Sequence, residues 1–161
     1  MEKTLNMKNA TQRGFTLIEL VVVIIILGIL AAFALPRFMN LEQRARQASV
    51  RALEGSVRTA AAMAHANYLT QATGPAGALT IEGQPVTFAN YYPNAATIAN
   101  TLQQGTIQAA TPGRFAVAVN GTVATFTLVG SPTPANCSVT YNQAAGANVP
   151  PLIPIATITG C

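Results

Sequence analysis

Glu19 is the residue of this chain most in need of a chemical explanation. It is the one charged side chain between Arg13 and Arg37, and an uninterrupted apolar run from Leu20 to Leu35 starts directly behind it. An acidic side chain at the centre of a lipid-facing helix costs about 2.5 to 3.5 kcal/mol on insertion scales, and less near an end. A carboxylate in that position needs something to offset the cost, and the simplest partner is a positive charge held at the same depth by another subunit. The other chemically capable pair is Cys137 with Cys161. Enzyme chemistry has little to work with: the chain has no aspartate and a single histidine, His65, so acid–base pairs, triads and most metal sites cannot be assembled.

The element that must position Glu19 runs from Phe15 to Leu35. As a helix it is roughly 31 Å long, the thickness of a bilayer's hydrocarbon core. Lys3, Lys8 and Arg13 precede it against Glu2 alone, which predicts a cytoplasmic N-terminus with the bulk of the chain across the membrane. Three plainer readings compete. A cleaved signal peptide would use Ala32-Phe33-Ala34, but it leaves Glu19 inside the apolar region unexplained and sets Pro36 two residues past the cut. An ordinary anchor would leave Glu19 merely at the interface. A soluble core helix disagrees with the length and the flanking charges.

Gly14-Phe15-Thr16-Leu17-Ile18-Glu19, followed by the run Leu20-Val-Val-Val-Ile-Ile-Ile-Leu-Gly-Ile-Leu-Ala, resembles the N-terminal motif of type IV pilins and of their secretion-system relatives, the pseudopilins. In that family a membrane aspartyl peptidase cuts after the glycine and methylates the new N-terminal residue. The resemblance therefore implies a cut between Gly14 and Phe15, a leader over residues 1–14, and N-methylation of Phe15. It also supplies the missing cation, because Glu19 can meet the new α-amine of Phe15 on a neighbouring subunit and so fix register as well as offset both burial penalties. Gly14, lacking a Cβ, would let the peptidase approach the backbone closely. The resemblance covers about the first third of the chain.

Composition bounds the remainder. Residues 74–161 suffice for one small domain and not for two. Net charge is +4, and the first fourteen residues carry half of it; beyond Arg58 only Glu82 and Arg114 are charged. Such a neutral head, rich in Thr, Asn, Gln and Ala, suits an extracellular surface packed against copies of itself. Past the membrane, an oxidising compartment predicts a Cys137–Cys161 disulfide, stabilising by roughly 3 to 4 kcal/mol in the chain-entropy model. A zinc pair is the alternative, and the distance of His65 in sequence disfavours it.

Pro36 is expected to kink the helix or unwind it locally. Beyond it Phe38, Leu41, Ala45, Ala48, Ala52, Leu53, Val57, Ala60, Ala64 and Tyr68 recur at helical spacing, and Gly74-Pro75 ends the run. Short strands then follow: Leu79–Ile81 and Val86–Phe88 around Glu82-Gly83-Gln84-Pro85, then Phe115–Val119 and Thr122–Leu128 around Asn120-Gly121, read as a type I′ hairpin. Cys137–Tyr141 and Ile155–Thr159 are read as the last two strands, with Asn148 to Pro154 an extended loop and Ala95–Leu102 a short helix. The predicted fold class is α+β: a long N-terminal helix, membrane-spanning at its start, packed on a small antiparallel head, similar to the ladle of type IV pilins. The Cys137–Tyr141 strand, the proline-containing loop, Gly160-Cys161 and Phe38-Met39-Asn40-Leu41 most resemble pilins of the mannose-sensitive haemagglutinin type.

Calcium, which major pseudopilins bind through head carboxylates, wants six to eight oxygens; Glu82 is the head's lone carboxylate, which favours a pilus subunit. Arg44, Arg46, Arg51 and Arg58 invite a nucleic-acid reading, but pairing with Glu42 and Glu54 along the stem is the simpler account, so nucleic acid is not an expected partner. His65 is expected at the edge of the head, without a role as ligand or switch.

The organisation expected is a cytoplasmic leader (1–14), a transmembrane and assembly helix (15–36), its amphipathic continuation (37–73) and an extracytoplasmic β-rich head (74–161). The expected function is that of a structural type IV pilus subunit serving adhesion, surface attachment or motility, with no enzymatic activity, cofactor or metal. The alternative is a membrane-anchored monomeric binding module, or a minor pilin or pseudopilin of a secretion or DNA-uptake system. The resemblance implies as partners further copies in a helical filament, a prepilin peptidase, an inner-membrane platform with its ATPase, and an outer-membrane secretin. It places the chain in the inner membrane through helix 15–35 before assembly and on the cell surface afterwards.

Overall fold

The computed structural model describes residues 15–71, 74–102, 114–147 and 149–161, with backbone alone for 35–39. Helix α1 spans Leu17–Gln71. The chain divides into two units, with Asn40 the last residue of the first and Leu41 the first of the second. In the first unit Leu17–Ala34 has a mean hydropathy of 3.0 and buries nothing. It is the one helix among the described residues long and apolar enough to cross a membrane. The leader and Gly14 lie outside the described residues; at Pro36, where a kink or local unwinding is expected, the backbone is helical on both sides and nothing unwinds.

The second unit is an α+β fold: the Leu41–Gln71 part of α1 packs on two three-stranded antiparallel sheets. The first sheet has the order β1 (Gly77–Ile81), β2 (Gln84–Ala89), β3 (Tyr92–Pro93). The second has β4 (Phe115–Asn120), β5 (Val123–Leu128), β6 (Ser138–Asn142). Alternation writes the inner face directly into β5, where Ala124, Phe126 and Leu128 are buried and the residues between them are not. Val50, Leu53, Val57 and Ala61 of the helix close over this sheet together with Phe115, Val139 and Tyr141. One turn further on, Ala64 and Tyr68 cover Val86 and Phe88 of the first sheet, with the Tyr68 and Phe88 rings stacked at 4.1 Å.

Polar bonds tie the two sheets together. The buried Tyr141 hydroxyl donates to Pro93 O, and burial, then the nearby Tyr92, pushes its ionisation far above the ordinary tyrosine range. Asn90 Nδ2 donates to Ala144 O at 2.8 Å, and the Ala95 amide donates to Gln143 Oε1 at 3.1 Å.

Several local expectations shift. The buried stripe of the helix is Val50, Leu53, Val57, Ala61, Ala64 and Tyr68, whereas Leu41, Ala45, Ala48 and Ala52 face outward. Both faces carry small or apolar residues at helical spacing, and the sheets select one. The β1–β2 hairpin turns on Glu82 (φ 49°) and Gly83 (φ 79°), the pair of positive φ values that a type I′ turn requires. In the β4–β5 hairpin Asn120 pairs with Val123, so the turn residues are Gly121 and Thr122, and only Gly121 (φ 57°) is left-handed. That arrangement belongs to the II′ class, one residue later than Asn120-Gly121 suggests. The short helix shrinks to a 3₁₀ turn at Ile98–Thr101.

Ile155–Thr159 forms no strand. The C-terminal segment touches β6 at two isolated bridges, Asn142 with Leu152 and Ser138 with Thr157. The interval is one residue longer on the segment than on β6, and Pro154 within it has no amide to donate, so a regular ladder cannot form.

Candidate functional site

The N-terminus of α1 is built locally. Thr16 precedes the first helical residue, and its Oγ1 accepts the Glu19 amide at 3.3 Å while its carbonyl accepts the Leu20 amide at 3.3 Å. Thr16 is therefore the N-cap and Glu19 the third helical residue, the Thr-x-x-Glu spacing of a capping box. The cap is a role that the reading of charge and hydropathy passed over, although the four residues Thr16 to Glu19 carry the signal. Glu19 also lies in the first turn, where the helix macrodipole favours a negative charge. Its side chain is exposed, as is Phe15 at 81%. The geometry presents an exposed carboxylate four residues after Phe15, at the start of a helical stretch, Leu17–Ala34, that buries nothing. Gly14 lies outside the described residues.

The second pair is joined. Cys137 and Cys161 form a disulfide with an S–S distance of 2.07 Å and Cα atoms 4.9 Å apart, and both are buried in the larger core. This bond fixes the end of the C-terminal segment beside the start of β6.

Ionic groups on the helix pair at i,i+4: Glu42 with Arg46, and Glu54 with Arg58. Arg46 also reaches Gly130 O at 3.3 Å, and Arg114 donates to Ser49 Oγ. His65 sits at the edge of the first sheet, half-buried, its ring stacked on Tyr92 at 4.0 Å with Nδ1 2.8 Å from Tyr91 O. That contact supports Asn90 and Tyr91, two non-glycine residues at positive φ. Glu82 lies at an exposed hairpin tip. Among the described residues no three His, Cys, Asp or Glu side chains come together as a metal site would need.

This combination, an exposed apolar helix capped at its start by Thr16 and Glu19 and continuing into an α+β unit, defines a pilin-like protein. Residues 9–35 match the family model of the prokaryotic N-terminal methylation motif. The chain is 56% identical over 52 residues to the type IV narrow pilus major component PilA5 of Thermus thermophilus, covering 32% of this chain and 45% of that one. It is 40% identical over 90 residues to the type IV major pilin protein PilE1 of Neisseria gonorrhoeae, covering 51% and 42%. A third relative is the type II secretion system core protein G of Pseudomonas aeruginosa, 46% identical over 56 residues, covering 35% and 37%. The matches thus span less than half the length of each of these relatives. No solved structure matches the chain. The N-terminal segment carries the prokaryotic N-terminal methylation motif and is similar to that of type IV pilins and of a type II secretion core protein.

Proposed function

We propose that the chain is the structural subunit of a type IV pilus. The supporting observation is the helix Leu17–Ala34, uncovered along its length and carrying one carboxylate, Glu19, in its first turn. In this reading residues 1–14 are a leader removed between Gly14 and Phe15. Residues 15–36 anchor the subunit and later pack in the fibre, residues 37–73 continue the helix, and residues 74–161 form the extracytoplasmic head. Phe15 is N-methylated, and Glu19 pairs with the Phe15 amine of the neighbouring subunit. Heterologous, non-closing contacts then propagate the fibre.

The prepilin peptidase, the inner-membrane platform with its ATPase and the outer-membrane secretin are the partners this role requires. Adhesion or surface attachment is the task proposed for the fibre. Its placement with the mannose-sensitive haemagglutinin type rests on the Cys137–Tyr141 strand, the proline-containing loop and Gly160-Cys161. The likeness to core protein G favours a second reading, a secretion-system pseudopilin. Fibres sheared from the cell surface separate the two, because a pseudopilin remains in the envelope.

The experiment joins mass spectrometry to electron microscopy. Protein from the membrane and from sheared fibres should begin at Phe15, and Met1 or Leu35 at the N-terminus overturns the processing step. Glu19→Val should insert in the membrane at least as well as the parent, because an apolar side chain replaces a costly one. Cleavage after Gly14 should persist, and fibres should be absent. Normal fibres would reduce Glu19 to an interfacial residue and give the monomeric binding module the higher rank.

A further inference from the structure

The Glu54–Arg58 pair does more than sit on the helix surface. Glu54 Oε2 accepts the backbone amide of Ala156 at 2.9 Å, while Oε1 accepts Arg58 Nη2 at 2.9 Å and Nε at 3.2 Å. Arg58 Nη2 also donates to Ile153 O. One ion pair thus takes up an amide, that of Ala156, and a carbonyl, that of Ile153, which lie between the two bridges to β6. The Glu54 side chain is 17% exposed and that of Arg58 49%, so water is largely kept from the carboxylate while the guanidinium stays half in solvent. These bonds hold Ile153 and Ala156 in the core and leave Ile155 outside, 87% exposed.

We propose that Glu54 is an acid-sensitive clasp for the C-terminal segment, holding residues 153–156 against the helix while ionised and releasing them when protonated. The surroundings leave little else to titrate there. Arg58 and Arg51 are the cations beside it on the helix, and residues 149–160 carry no ionisable side chain. On the facing strand β6 the one ionisable group is Tyr141, committed to Pro93 O. The Ala156 amide, then the Arg58 hydrogen bond, lower the Glu54 pKa below the ordinary carboxylate value of 4.5. A lowered folded-state pKa means that the bonds stabilise the fold above the ordinary pKa and are lost as pH falls through the lowered one. Protonation removes the ionic bond to Arg58 and leaves a weaker acceptor for Ala156. The disulfide and the two bridges to β6 bracket the segment, so release is local: a loop opens between fixed points while both sheets remain.

The test uses the ¹⁵N-labelled full chain in detergent micelles, following amide shifts and hydrogen exchange from neutral pH downward. The Ala156 amide should titrate with a midpoint below the ordinary glutamate value. Exchange in residues 153–156, corrected for intrinsic rates, should become about ten- to a hundredfold faster on protonation, the loss expected for a charge-assisted hydrogen bond. Glu54→Gln should abolish the titration while the Val139 and Tyr141 amides keep their positions. Arg58→Gln should move the midpoint upward, and it decides the matter alone if the Glu54 variant does not fold. An Ala156 amide that is flat with pH in the parent, or that still titrates in Glu54→Gln, overturns the clasp. So does an Arg58→Gln midpoint that does not move.

Discussion

Two stretches of one helix use apolar side chains in opposite ways. From Leu17 to Ala34 they cover the whole circumference and none is buried. From residue 41 to residue 71 one stripe, Val50, Leu53, Val57, Ala61, Ala64 and Tyr68, is buried by the chain's own sheets, while Leu41, Met63 and Leu69 stay exposed. A helix apolar all round must find its complement outside the subunit, in lipid or in other chains, whereas an amphipathic one completes itself. The second stretch therefore determines whether the subunit has a head, and the first determines what that head is attached to. Damage to one should leave the other's property intact.

The strongest way to break this division is Val57→Asp. Val57 has no exposure and packs against the second sheet, so an aspartate there is a buried charge without a partner, costing on the order of 3 to 5 kcal/mol. Proteolysis of the full chain in membranes should then degrade residues 41–161 and spare a membrane-embedded fragment containing Leu17–Ala34. A head that stays protease-resistant would show that Val57 is not part of its core.

Cys161→Ser should have the next largest effect. The disulfide joins residues 24 apart in sequence, and the chain-entropy model gives about 3 to 4 kcal/mol for such a loop. The head's melting temperature should fall by about 10 to 20 °C. Reduction of the parent should reproduce the shift, and membrane insertion should be unchanged. Equal melting temperatures for parent and variant would mean that the bond adds nothing to the stability of the head.

The two stretches also differed in how far the sequence revealed them. In the first, an uninterrupted run and one carboxylate leave little room for alternatives, because every side chain faces the same kind of medium. In the second, the apolar stripe depends on which face the sheets select, and a helix rich in alanine offers more than one. Leu53, Val57, Ala64 and Tyr68 were legible as buried; Leu41, Ala45, Ala48 and Ala52 carry the same spacing and lie outside. Strands β4 to β6 were legible by alternation and by their turns, although the Gly121 turn came one residue late. Ile155–Thr159 alternates like a strand and is not one. Its Ala156 amide goes to Glu54, and the Ile153 carbonyl just before it to Arg58, each about a hundred residues away in sequence, and no local pattern contains that partner. At the candidate site, Gly14, Phe15 and Glu19 stand out in the sequence because chemistry and spacing coincide there, with Gly14 outside the described residues, and the cap at Thr16 is equally visible in the Thr-x-x-Glu spacing.

The smallest expected effect sharpens the comparison most, because it separates two roles that meet within one turn. Glu19 could matter as the partner of a neighbour's amine or as part of the cap that starts the helix. The structure makes these separable. The hydrogen bond that caps the helix runs from the Glu19 backbone amide to Thr16 Oγ1, so Glu19→Val keeps it and removes only the carboxylate. Thr16→Val does the reverse, deleting the hydroxyl with little change in shape and leaving the carboxylate in place. Loss of an N-cap hydroxyl costs about 0.5 to 2 kcal/mol and acts on the first turn. Hydrogen exchange of the full chain in micelles should show the Ile18 and Glu19 amides exchanging about two- to thirtyfold faster, with no change beyond the first turns. Fibres should still form if Glu19 acts through the proposed charge pair, because the carboxylate survives. If Thr16→Val abolished fibres as completely as Glu19→Val, the decisive property of this end would be helical order and not charge. The carboxylate would then lose its claim to set the register between subunits.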